Sequence, residues 1–151
     1  MKKFLVLALV AMISATGFSK TIDEVFNAFP KADNVQEVVL DKAMLDMARM
    51  AGADQAKQMK DIDAMRIIAI ENATAEQFKI AQELIKDGVD GFDVMVDANE
   101  DGEQALILTQ SDGKDINKML IIAIDEEEVA VILMEGKIDP NNTDKLVNFG
   151  K

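Results

Sequence analysis

The sequence predicts an α+β domain built on a mixed sheet of about six strands, ending in an antiparallel four-strand meander, with short helices packed mainly on one face. Three observations predict it. Capped helix starts alternate with short β-branched runs as far as residue 90. From Gly91 the apolar period falls to two. The turn signals Asp101-Gly102, Asp112-Gly113 and Asp125-Glu126-Glu127-Glu128 then divide the rest of the chain into hairpins. A hydrophobic fraction of 49% over 151 residues supplies one packed core, and no linker, repeat or low-complexity stretch divides it.

Met1-Lys2-Lys3, the apolar run Phe4 to Ile13 and the small-residue end Ser14 to Ser19 have the organisation of a secretory signal peptide over residues 1–19, with cleavage after Gly17 or Ser19. The apolar run is too short to span a bilayer, which needs about 20 residues, and no Cys follows it to carry a lipid. The expectation is a single domain over residues 20–151, periplasmic or secreted and without a stable membrane anchor.

Thr21-Ile22-Asp23-Glu24 fits a capping box for a short helix over about 22–29, with Val25, Phe26 and Phe29 as its apolar side. Val35 to Leu40 is a β-branched run. Asp41 opens a helix bearing Met44, Leu45, Met47, Ala48 and Met50, closed by Gly52, and residues 53–60 extend as a further helical stretch. Met65 to Ile70 is a strand. Thr74-Ala75-Glu76-Gln77 is a second capping box, starting a helix whose Phe78, Ala81, Leu84 and Ile85 share a face up to Gly88. Phe92, Val94, Val96 and Ala98 alternate with polar neighbours as one strand; three more run at about 103–110, 116–124 and 129–137. Asp139-Pro140 caps a last helix with Leu146, Val147 and Phe149. Met119 to Ile124 and Val129 to Met134 are apolar on both faces. Such strands either lie under cover on both sides or expose one face to a partner.

The charge pattern excludes several chemistries. With 16 basic residues against 28 acidic ones, the net charge of −12 repels nucleic-acid backbones, and no basic stripe offsets it. Without Cys or His there are no disulfides, no thiolate or imidazole metal sites and no histidine-assisted nucleophile. No cofactor is expected. Two candidate sites remain. Asp97-Ala98-Asn99-Glu100-Asp101-Gly102 matches the first six places of a calcium loop, with Asp97, Asn99 and Asp101 as the oxygen donors, although Leu108 occupies the place of the closing Glu and the flanks are strand-like. The competing reading is an acidic hairpin turn. Met44, Met47 and Met50 either line an adaptable groove for a protein partner or form plain core. The acidic run Asp125 to Glu128 either docks a basic protein or cations or, as the ordinary reading, forms a solvated tight turn between strands.

Ile22-Asp23-Glu24-Val25-Phe26, Val38-Val39-Leu40 with Met44-Leu45, Ile62-Asp63-Ala64-Met65-Arg66-Ile67-Ile68 and Glu135-Gly136-Lys137-Ile138-Asp139 together resemble the exported Bacteroidetes proteins grouped as domain-of-unknown-function family 4252. The resemblance covers nearly all of the mature chain, in order, and includes the signal peptide. It implies a small exported protein and brings no catalytic or binding residues with it. The expected function is a non-enzymatic module that binds a protein partner or its own copies, through the second apolar sheet face or the Met-bearing helix. The alternative is a small-ligand or calcium-binding protein.

Overall fold

The computed structural model describes residues 20–52, 61–113 and 115–138. The expected signal segment, the helical stretch at 53–60 and the closing helix after Asp139 lie outside the described residues. Within them, three helices, α1 (Ile22–Asn27), α2 (Lys42–Met50) and α3 (Ala75–Asp87), accompany six strands: β1 (Val35–Leu40), β2 (Ile62–Ile70), β3 (Asp93–Glu100), β4 (Glu103–Ser111), β5 (Ile116–Ile124) and β6 (Val129–Ile138). Each helix begins at the cap residue its sequence promised, but the expected box at Thr21 is only half formed, because Glu24 accepts from the Thr21 hydroxyl and not from its backbone amide. Thr21, Asp41 and Thr74 accept hydrogen bonds from the amides of Glu24, Met44 and Gln77, and Thr74 with Gln77 closes a full capping box.

The strands form one sheet in the order β1-β2-β6-β5-β4-β3. β3 to β6 make the expected meander. The expected mixed sheet is corrected, because every neighbouring pair is antiparallel. The reason lies in α3, whose crossing carries the chain from β2 to the far edge, so β2 and β3 run the same way but are separated by three strands. β2 also begins three residues earlier than expected, at Ile62, where a bulge at Asp63 lets Ile62 pair with Gly136 while its side chain stays buried.

Helices were expected mainly on one face; among the described residues α1 and α3 share one face and α2 covers the other, so both faces are covered. On the first face Val25 and Phe26 of α1 and Ala81 and Leu84 of α3 pack with Ile68, Ile70, Leu106, Leu108, Leu120, Ile122, Val129 and Val131. On the second, Leu45 of α2 joins Ile62, Met65, Ile107, Met119, Ile121, Met134 and Ile138. Between the two apolar readings of β5 and β6, burial therefore decides: Met119 is 0% and Met134 2% exposed. The second sheet face offers no docking surface there.

β3 departs from its predicted alternation. A bulge between Val94 and Val96 pairs Val94 with Leu108 but Val96 with Ile107, whose side chains belong to opposite cores. The two valines thus fall on opposite faces, and the whole strand is exposed.

One buried polar contact was silent in the sequence. Gln77, only 6% exposed, exchanges amide hydrogen bonds with Asn34 at 2.8 and 3.1 Å and also accepts from the Thr74 amide. Asn34 in turn donates to the Glu71 carbonyl, so the α3 N-terminus is fastened to the start of β1 and the end of β2. Replacing Asn34 with Ala leaves Gln77 short of a partner and is expected to cost about 1–3 kcal/mol in urea unfolding. Gly136→Ala is expected to cost about 2 kcal/mol or more by the same measurement, since φ is +149° and a Cβ there runs into the backbone of Asp61, Ile62 and Asp63.

Candidate functional site

Helix α2 turns its methionines outward. Leu45 is the residue it buries, and at 100° per residue Met44, Met47 and Met50 stand about 100°, 160° and 140° around the axis from it. They are 46%, 65% and 87% exposed. The plain-core reading of these residues is therefore corrected: the periodicity detected a stripe but not its direction, because the single Leu45 anchors the opposite side. On the inward flank Arg49 reaches across to the Ile62 carbonyl at 2.5 Å and to Asp46 at 2.6 Å, fixing the helix against β2. The Lys42 hydrogen bond, with desolvation opposing it and the Lys42 and Arg49 charges adding to it, holds the Asp46 carboxyl below its ordinary value of 3.8. Its contribution to stability is present above that ordinary value and is lost as pH falls through the lowered one.

The strand entering α2 is also apolar and open. Val38 and Val39 are 44% and 58% exposed, and only Leu40 and Asp41 separate them from the helix. Behind them Arg66 donates to Glu37 at 2.8 Å and stands 4.4 Å over the ring of Phe26, tying α1, β1 and β2 together.

At one end of the sheet the β3–β4 and β5–β6 turns lie side by side. Asp101, Glu103 and Asp125 to Glu128 line an open depression of about 240 Å³. The expected calcium-loop residues are divided between a strand and this turn. Asp97 and Asn99 pair with Leu106 and Gln104 across β3 and β4, about 6.6 Å apart along the strand. Asp101 and Gly102, with φ of +52° and +84°, form the two-residue hairpin turn that the Asp-Gly pair favours. The loop is therefore a hairpin and does not curl around an ion. Among the described residues no group of three or more carboxylates is placed to hold one metal ion. The Asp125 side chain accepts from the amides of Glu127 and Glu128 at 2.8 and 2.6 Å, which holds the turn open to solvent. The sequence named both acidic turns but not their adjacency, which depends on strand order. Six like charges at one sheet end should repel, so Glu127→Lys is expected to raise stability by about 0.5 kcal/mol at low salt, the gain shrinking when the melt is repeated in 1 M NaCl.

A family model described as Domain of unknown function (DUF4252) matches residues 26–146, which take in every strand and all but the first turn of α1. No curated protein matches the chain.

Proposed function

Because the chain belongs to the DUF4252 family, whose description assigns no activity, we propose from its own geometry that it is an exported, non-enzymatic module that binds another protein through the outer face of α2. The observation that carries this reading is the orientation of α2, which anchors itself with Leu45 and Arg49 while presenting Met47 and Met50 to solvent. Unbranched thioethers on a rigid helix suit recognition of an apolar surface, and exposing them without a partner has no packing benefit. Support for the non-enzymatic part comes from composition: with no His or Cys, no imidazole base and no thiol nucleophile is available. The leader reading supports export to the periplasm or beyond, with the mature chain starting near Lys20 and its net charge moving from −12 to −14 as Lys2 and Lys3 are lost.

The test is capture from a cell-envelope fraction by the immobilised mature chain and by a Met47→Glu, Met50→Glu variant. Both sites are exposed, so stability should stay within about 0.5 kcal/mol of the parent. Retention of a defined protein by the parent and its loss in the variant is the expected outcome; equal retention by both removes α2 from the reading.

A second reading, cation binding, rests on the six-carboxylate depression. Its geometry supports charge-driven accumulation of cations at the surface, without an ion-specific cage. Millimolar calcium and an equal ionic strength of sodium should then shift the melting temperature alike; a calcium-specific shift abolished by Asp101→Asn would instead establish a site.

A further inference from the structure

We propose that two copies of this chain join edge to edge through β1, in the antiparallel register that places Val38 opposite Val38. The surface involved is the sheet edge, distinct from the outer face of α2.

The two edges of the sheet differ in their protection. β3 carries Asp93, Asp97 and Glu100 and is broken by the bulge at Met95, both of which discourage a further strand. β1 pairs with β2 through six consecutive residues without a register shift, and has no Pro and no Lys. Its one charged residue, Glu37, is already matched by Arg66. The second copy is argued from the pattern of free backbone groups. The Glu71 amide donates to the Asn34 carbonyl, so residues 34, 36, 38 and 40 face β2, and Val35, Glu37 and Val39 point their backbone groups to the open edge. The Val35 amide is already bound by the Ala32 carbonyl at 3.0 Å. That leaves the amides of Glu37 and Val39.

Among two-fold registers, centring on Gln36 asks for the Val35 amide that is taken. Centring on Glu37 sets Glu37 against itself, and centring on Val39 sets Glu37 against Asp41. Centring on Val38 pairs Glu37 with Val39 in both directions, uses all four free amides and opposes no like charges. In this register the two Val38 side chains meet as a close, non-hydrogen-bonded pair, with Cα atoms about 4.5 Å apart, and two exposed valines of each copy are covered. The short edge and the net charge of −12 make the association weak and strengthened by salt.

The absence of cysteine makes the register directly testable. Val38→Cys and Gln36→Cys are each introduced into the mature chain and oxidised with copper phenanthroline. The Val38→Cys thiols meet within disulfide reach, whereas each Gln36→Cys thiol lies opposite Leu40, about 13 Å along the strand from its counterpart. The expected result is covalent dimer from Val38→Cys at least about tenfold faster than from Gln36→Cys, faster still at about 0.5 M NaCl, and suppressed by adding Val39→Glu, which sets a carboxylate against Glu37 of the other copy in both directions. Equal trapping of the two, no trapping, or a Val38→Cys thiol that stays monomeric and unreactive because the edge is covered by another segment overturns the proposal. Sedimentation of the cysteine-free parent at about 1 mM and 0.5 M NaCl decides the matter independently of whether a variant folds; a monomer there overturns it. Loss of the dimer in Val39→Glu and loss of capture in the Met47→Glu, Met50→Glu variant report on separate surfaces, so either can fail alone.

Discussion

The β5–β6 hairpin has to be covered on both faces, and the rest of the architecture answers to that constraint. Met119, Leu120, Ile121 and Ile122 are consecutive and none is more than 6% exposed, so alternation sends apolar side chains to both sides of the sheet centre. Each such side chain returned to water would cost about 1.5–3 kcal/mol. A strand with these demands is tolerable only in the interior of a sheet, and the observed order places β6 and β5 as the two central strands. It also requires a layer on each side. α1 and α3 cover one face, while α2 delivers Leu45 to the other.

The same constraint explains why the sheet is antiparallel throughout. The meander builds outward-to-inward from β3, and its last strand must find a partner on its free side. β2 is available because α3 has carried the chain over the sheet after β2 was laid down, and the Asn34–Gln77 amide pair fixes the start of that crossing. Long-range pairing of β2 with β6 then closes the core, with Gly136 absorbing the bulge at Ile62. Stability is thus concentrated in contacts between segments far apart in the chain, with the local caps serving mainly to place helix ends.

Much of this was legible in the sequence, and the limits of that legibility are physical. Caps at Thr21, Asp41 and Thr74 and the Asp101-Gly102 turn depend on residues at fixed short spacing, so the helix starts and the hairpin were readable. The two-sided apolar pattern of β5 and β6 left them either covered on both sides or facing a partner, and only the tertiary packing decides for cover and shows which elements supply it. Strand order was not readable, because it rests on which hydrogen-bonding edges meet, and with it went the juxtaposition of Asp101 and Glu103 with the Asp125 turn. The outward direction of Met44, Met47 and Met50 was hidden for a related reason. An apolar stripe marks a helix face, but Leu45 alone, together with the long reach of Arg49 to the Ile62 carbonyl, determines which face goes inward. In β3 the bulge at Met95 cannot be seen in an alternating sequence, since it inverts the alternation it interrupts.

The surface is consequently divided by chemistry. The turns at one end of the sheet gather carboxylates, where solvent and counter-ions accept them at little cost. The exposed apolar residues collect instead in two groups, one on the protected edge at Val94 to Val96 and one in the continuous stretch from Val38 to Met50. The first group is broken by a bulge and interleaved with acids. The second runs from an unbroken strand into a helix through the Asp41 cap, and its principal acids, Glu37 and Asp46, are both held by arginines. In a chain carrying 28 acidic residues, the carboxylates of Glu37 and Asp46 beside the exposed valines and methionines are thus neutralised locally, while that of Asp41 between them is spent on the helix cap.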